Sequence, residues 1–229
     1  LMVGALLGFT GGGLQAQSVN ERPAWVVDGV SDTVWFLVEA STSTSSDDRA
    51  KKILKEAEVH ARRELEDHED DVGRRFGLAV VLGLRANREG GRGQVLAAAE
   101  LQKELEVILE LDPNHARARH MLGRLHAGVR RMNRALRWIA TNLLGGSELK
   151  KATWEEAERN LAFAAEHAPE VTDHHLQLAK LYCDTGRPEL AFVVLGNVLA
   201  RPAKSAMEKA VLEEAMALKE ELDRDGASR

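Results

Sequence analysis

The feature that most constrains this chain is a pattern of small and large apolar residues that recurs along most of its length. Small residues at fixed positions allow two helices to approach closely, and larger ones fill the seam between neighbouring helix pairs. The pattern therefore predicts helical hairpins stacked side by side. Its clearest copy lies near the C-terminal end and consists of His175, Leu178, Ala179, Tyr182, Ala191, Leu195 and Pro202.

Two earlier copies carry the same pattern with interruptions. One runs from Phe76 to Pro113 and has extra residues around 87–93, where we expect a loop that includes Gly91–Leu96. The other places Gly123 in its first half and resumes only at Ala157, after a long insertion. Three copies are about the number that such a stack needs to bury a continuous core. Thr153 with Glu156, and Ser46 before Asp47, are predicted helix starts.

This spacing resembles the tetratricopeptide repeat, in which W-x2-L-G-x2-Y is followed by A-x3-F and by Pro. In the clearest copy His175 stands at the first aromatic position, so one packing residue is polar. The resemblance implies an all-α solenoid of helical hairpins, with an inserted helix in the second clear repeat. The final apolar-periodic segment, up to Leu222, fits a helix that caps the end of the stack.

The interrupted copy carries a more specific resemblance. It has a Leu-Gly-Arg start at 122–124, an apolar and basic insertion at 131–144, a Gly pair at 145–146 and Thr-Trp-Glu-Glu-Ala at 153–157. Together these resemble the regulator of microtubule dynamics family and its bacterial relatives over roughly residues 50–222. The resemblance implies a helical domain without a catalytic centre, and some members of the family are implicated in microtubule association.

The N-terminal residues indicate export. Residues 1–17 are uncharged and mostly apolar, which predicts a signal peptide without its basic start, cleaved after Ala16. A poorly ordered hydrophobic N-terminus is the alternative. We predict a linker and degenerate element at 18–46, the solenoid at 47–222 and a disordered tail at 223–229. An exported protein, in a periplasm, would not meet tubulin; the cytoplasm is the alternative location.

Composition fits a protein-binding domain better than an enzyme or a nucleic-acid binder. The formal net charge is −5, and phosphate neutralisation needs a basic surface. The sequence has no Gly-x-Ser-x-Gly elbow, no phosphate-binding Gly-rich loop ending in Gly-Lys-Ser/Thr and no His-Glu-x-x-His pair. We therefore predict a non-catalytic scaffold or adaptor with no cofactor and no metal, whose partner is a protein or peptide and not a nucleic acid.

The first helices of the hairpins define the predicted binding groove. This groove would bind an acidic extended segment or the C-terminus of a partner, because arginine forms forked hydrogen bonds with carboxylates. The alternative is that these basic residues pair with nearby glutamates of the same protein. The residues expected to line the groove are Arg74, Leu78, Val81, Arg117, His120, Arg124, Gln177 and Lys180.

The inserted segment 130–144 is the second candidate surface. Helical periodicity places its apolar residues on one face, which we expect to pack on the solenoid, and its arginines opposite. Trp138, at their flank, is either an exposed anchor for a protein or a membrane surface, or a packing residue near Trp154. The apolar residues are Met132, Leu136, Ile139 and Leu143, and the arginines are Arg130, Arg134 and Arg137.

Overall fold

A computed structural model describes residues 29–203 and 206–227 of the protein. Within these residues the protein forms ten α-helices and one short 3-10 helix, with no β-strand, so the predicted all-α class is confirmed. The helices are α1 Asp32–Ser43, α2 Asp47–Glu66, α3 Val72–Arg88, α4 Gly91–Leu111, α5 Ala116–Arg131, α6 Arg134–Asn142, α7 Trp154–His167, α8 Thr172–Asp184, α9 Pro188–Leu199 and α10 Ala206–Ala227, and the 3-10 helix is Ser147–Lys151.

The helices pair as hairpins that stack in sequence order. The pairs are α1 with α2, α3 with α4, α5 with α7, and α8 with α9, and α10 packs on α8 and α9. Each pair joins the next through its second helix, because α2 contacts α3, α4 contacts α5 and α7 contacts α8. This arrangement is a helical solenoid in which the insertion, α6 and the 3-10 helix, lies within the third hairpin.

Capping side chains fix where several helices begin. Ser46 accepts a hydrogen bond from the backbone N–H of Arg49, and Thr153 accepts one from that of Glu156, as the sequence predicts. Each bond satisfies a backbone donor that the first turn of a helix otherwise leaves unpaired. The expected signal peptide lies outside the described residues.

The apolar run at 34–38, which fits either a helix or a strand by sequence, belongs to helix α1. Ser31 caps this helix by accepting from the backbone N–H of Val34 and donates its hydroxyl to Glu64 of α2 at 2.6 Å. Val34 and Val38 are buried against the main core. The region expected to be a linker and degenerate element thus contributes a helix to the first hairpin, and α10 continues to Ala227.

The extra residues around 87–93 lengthen helices and do not form a loop. Helix α3 ends at Arg88 and α4 begins at Gly91, so the loop expected at Gly91–Leu96 was a wrong prediction. Gly91 has a φ of +55°, a left-handed conformation that favours glycine, and it starts the long helix directly. The reversal between the two helices needs only the two residues Glu89 and Gly90.

Gly123 explains how α5 and α7 approach closely. A Cβ atom at this position would lie 2.7 Å from Cγ of Leu161 and 3.0 Å from the carbonyl oxygen of Ala157. A methyl group cannot occupy that space without moving backbone, because one of the two atoms belongs to the main chain. The small residue of the sequence pattern therefore stands where the two helices of the third hairpin touch.

The Gly145-Gly146 pair returns the inserted segment to the solenoid. Gly145 has a φ of +90°, and a Cβ at Gly146 would lie 2.6 Å from Val95 of α4. The backbone N–H of Gly146 donates to the carbonyl of Ala140 at 3.0 Å, which ties the end of α6 to the turn. These two glycines place the turn that follows α6 against α4.

Candidate functional site

Helix α6 lies with its small and polar side inward and its large apolar side chains outward. Ala140 and Thr141 are its buried residues. The exposed fractions are 47% for Leu136, 57% for Trp138, 37% for Ile139 and 64% for Leu143. The prediction that the apolar face packs on the solenoid is therefore wrong for Leu136, Ile139 and Leu143, whereas Met132, just before the helix, packs partly buried against the core. We call these four exposed side chains the α6 apolar face.

Local hydrogen bonds hold the inward side of α6. Asn133 caps the helix by accepting from the backbone N–H of Leu136 at 2.9 Å. The Arg137 guanidinium turns back and donates to the carbonyls of Arg130 and Met132 at 3.3 and 3.2 Å. Because Arg137 and the small residue Ala140 occupy the inward side, the larger apolar residues have no room there.

Trp138 does not pack near Trp154, so that interpretation is also wrong. Trp154 is partly buried against the cluster that contains Ala127 and Leu161. Trp138 is more than half exposed, and its backbone carbonyl accepts from Asn142 on the next turn at 2.9 Å. A large indole held on a short, capped helix is the kind of side chain that dominates many protein interfaces.

The surroundings of the α6 apolar face are basic. No Asp or Glu occurs between residues 130 and 147. Burial, together with the nearby Arg130 and Arg134, lowers the pKa of the Arg137 guanidinium. In the described part of the protein no carboxylate forms an ion pair with any of these three arginines, whereas Arg131 pairs with Asp184 at 2.5 Å.

Three of the residues predicted to line the groove form a buried polar cluster between α5 and α8. His120, Arg124 and Gln177 are each less than one-tenth exposed and converge on the carboxylate of Asp173. The carboxylate accepts from Arg124 at 3.3 Å, from Nε2 of His120 at 3.2 Å and from Gln177 at 2.9 Å. These neighbours hold the pKa of Asp173 well below its usual range in spite of burial.

A second histidine extends this buried cluster. Nδ1 of His174 lies 3.0 Å from Nδ1 of His120. Since His120 donates from Nε2 to Asp173, its Nδ1 is the acceptor and His174 is the donor. Nε2 of His174 is then a buried acceptor without a partner among the described residues. Burial, followed by the proximity of His120, lowers the pKa of His174 to about 3.

The remaining predicted groove residues are spread along the first helices. Arg74 lies 3.7 Å from the carboxylate of Asp71, and Lys180 lies 2.6 Å from Glu214 of α10. Burial lowers the pKa of Arg117, and nearby Glu170 opposes that shift. Carboxylates of the same protein therefore neutralise much of the positive charge expected along the groove. This agrees with the alternative that the basic residues pair within the protein, except that aspartates as well as glutamates are the partners. The two apolar members, Leu78 and Val81, are buried.

A polar pocket between α4, α5 and α7 was not anticipated from sequence. It has a volume of about 360 Å³, and Gln102 and His126 form part of its wall. Gln102 donates to Glu106 at 3.0 Å and to Nε2 of His126 at 3.1 Å, and burial lowers the pKa of His126 to about 4. Oε1 of Gln102 and Nδ1 of His126 are buried without a partner in the described structure, which suits a bound water molecule. The signal in the sequence was a glutamine on the apolar side of a helix.

The model of one protein family matches most of the sequence. It is the family of regulator of microtubule dynamics protein 1-3, and it covers residues 30–223. The protein is also 26% identical over 193 residues to regulator of microtubule dynamics protein 1 of Mus musculus, and 26% identical over 194 residues to the Bos taurus protein. Each alignment covers 82% of this chain but only 63% and 61% of those relatives.

No helix in the described part of the protein is long and apolar enough to cross a membrane. The family match includes the solenoid, the inserted helix and both glycines of the turn that follows it. The chain therefore belongs to the regulator of microtubule dynamics protein 1-3 family.

Proposed function

We propose that the protein is a non-catalytic adaptor that binds a partner protein, and that the α6 apolar face is its main contact surface. The observation that carries the proposal is the orientation of α6, which exposes Leu136, Trp138, Ile139 and Leu143 and buries only small or polar residues. Contiguous exposed apolar side chains on a soluble domain mark interaction sites. Membership of the family supports an interaction role in general.

The groove along α3, α5 and α8 is the second candidate surface. Of its predicted residues, Arg74 and Arg117 are partly exposed, whereas Arg124 is held by Asp173. The groove proposal therefore rests on Arg74 and Arg117, which an incoming acidic segment would have to attract away from Asp71 and Glu170.

The names of the relatives connect them with microtubule dynamics, and this chain spans about three-fifths of their length. For this protein we propose only the interaction role. A microtubule role would require a cytoplasmic location, and export, which the N-terminal residues predict, would separate the protein from tubulin.

Affinity purification from the native host tests the two surfaces against each other. The wild-type protein is compared with Trp138→Ala/Leu143→Ser and with Arg74→Glu/Arg117→Glu, after circular dichroism has established that all three are folded. We expect a partner protein that the wild type and the groove variant retain and the α6 variant loses. Loss from the groove variant alone would move the site to the groove, and equal retention by all three would reject both surfaces.

A further inference from the structure

The α6 face and its arginines together restrict the chemistry of the partner. We infer, on the basis of the proposed function, that the partner segment is an acidic amphipathic helix, whose apolar side covers the α6 apolar face and whose carboxylates pair with Arg130 and Arg134. The inference names the chemical class of the partner, which neither the fold nor the family match specifies.

The apolar half of the inference rests on which side of α6 is exposed. At about 100° per residue, Ile139, Leu143 and Leu136 lie on one continuous strip, and Trp138 is exposed on the flank nearer Arg134. Leu96 of α4 is 43% exposed, and its Cδ2 would lie 2.9 Å from a Cβ on Gly145, so the apolar surface continues onto a second helix. A partner helix laid over α6 and the start of α4 would bury both.

The acidic half rests on positive charge that forms no ion pair with a carboxylate of the protein. The protein has a net charge of −5, yet the 18 positions from 130 to 147 include four arginines and no acid. Arg131 is paired with Asp184 and Arg137 donates to backbone carbonyls, whereas Arg130 and Arg134 form no ion pair among the described residues. Carboxylates on a partner would relieve the repulsion among these arginines and form forked hydrogen bonds with their guanidinium groups.

Other occupants fit less well. A second copy related by a two-fold axis through α6 would place arginines against arginines. Residues 1–17 are uncharged and offer no carboxylate. A membrane would meet a helix of nine residues, about 13 Å long, on a protein whose net charge repels anionic lipid.

The test is isothermal titration calorimetry of the full-length protein with three synthetic peptides of about 18 residues, a length that supports a helix once bound. The first carries Leu at i, i+3, i+4 and i+7 with Glu on its flanks, the second replaces each Glu with Lys, and the third replaces each Leu with Ser. We expect the first to bind at least about tenfold more tightly than the others and to weaken as salt rises, since salt screens exposed charges. Equal binding of the Glu and Lys peptides, or no binding of the Glu peptide, would overturn the inference.

Matched protein variants locate the binding. Leu143→Ser/Arg134→Glu alters the proposed surface, and Val59→Ser/Arg63→Glu makes a comparable pair of changes on α2, where Val59 is 60% exposed. We expect the first variant to lose affinity for the Glu peptide at least about tenfold and the second to bind it like the wild type, because α2 and α6 belong to different hairpins and pack mainly on different elements. Equal losses in both variants would contradict the inference.

Two further arms distinguish the other occupants. Sedimentation with phosphatidylglycerol vesicles is run beside neutral vesicles, and analytical ultracentrifugation measures self-association. If the protein binds the charged vesicles and Leu143→Ser/Arg134→Glu abolishes that binding, a lipid surface replaces the inferred partner. If the protein dimerises and the same variant abolishes the dimer, a second copy replaces it. If none of the peptides binds but the α6 variant still loses the native partner, the inferred acidic partner helix is rejected and the proposed adaptor function stands.

Discussion

Nδ1 of His120 on α5 and Nδ1 of His174 on α8 lie 3.0 Å apart, so two neighbouring hairpins are joined by a hydrogen bond between buried imidazoles. Asp173 fixes the direction of this bond, because it accepts from the other nitrogen of His120 at 3.2 Å. In this direction the bond exists only while His120 is neutral, since a protonated His120 has no acceptor to offer.

This geometry predicts that the protein loses stability as the pH falls through the range in which free histidine titrates. The pKa of His174 is lowered to about 3 from 6.5, so the unfolded state binds more protons between these values and the free energy of unfolding decreases as pH falls below 6.5. Each such histidine contributes at most about 1.4 kcal/mol per pH unit. Urea denaturation at pH 7.5, 6.0 and 4.5 measures the slope.

The matching variant is His174→Gln, which keeps a polar side chain and removes the titration. Its stability should depend less on pH than that of the wild type, and an identical slope would contradict the assignment. Asp173 does not confuse the measurement. Its lowered pKa stabilises the folded state, and this contribution is lost only as the pH falls below the unfolded value of 3.8.

Removing one member of the buried Arg124–Asp173 pair should destabilise the fold strongly. Asp173→Ala leaves the Arg124 guanidinium, 6% exposed, without its counter-charge, and such a change costs about 3–5 kcal/mol. Chemical denaturation of the single variant and of Asp173→Ala/Arg124→Leu checks this. The double variant should recover part of the loss, and a double variant less stable than Asp173→Ala would argue against the pairing.

Gly123→Ala should cost about 1–3 kcal/mol, because its methyl group would push against Leu161 and the backbone of Ala157. The control is Gly196→Ala in α9, where nothing lies within 4 Å of the added Cβ. That change should stabilise the protein by about 0.5–1 kcal/mol, since alanine is the better helix former. If both substitutions shift the melting temperature in the same direction, the close approach of α5 and α7 at Gly123 is contradicted.

Trp138→Ala should leave stability within about 0.5 kcal/mol of the wild type, as expected for a surface side chain. The comparison is Leu161→Ala, whose side chain is 1% exposed and whose loss should cost about 2–5 kcal/mol. Differential scanning calorimetry distinguishes the two. A large loss for Trp138→Ala would show that the indole supports the fold and is not reserved for a partner.

Repeated spacing was enough to predict the hairpins, because only small residues such as Gly123 and Ala157 fit where two helices touch. The orientation of α6 was not predictable in this way. Its amphipathic pattern favours burial of Leu136 and Leu143, but the side that faces inward is decided by Gly146 and Arg137, whose contacts involve other elements.

The buried polar cluster was partly visible in the sequence. Adjacent residues of a helix point to different faces, and His175 accordingly contacts the carbonyl of Pro169 at 3.0 Å while His174 enters the cluster. The contact between His174 and His120 depends on the axial position of α8 relative to α5. The periodicity of a single helix does not determine how two helices are aligned.

Because α6 is attached through few buried residues, the residues that stabilise the fold and the residues that would contact a partner are different ones. Since only Ala140 and Thr141 of this helix are buried, packing constrains Leu136, Trp138, Ile139 and Leu143 less than it constrains the residues of the core. Mutations there can alter partner choice at little cost to folding. The insertion can therefore diversify among relatives while the hairpins around it stay fixed.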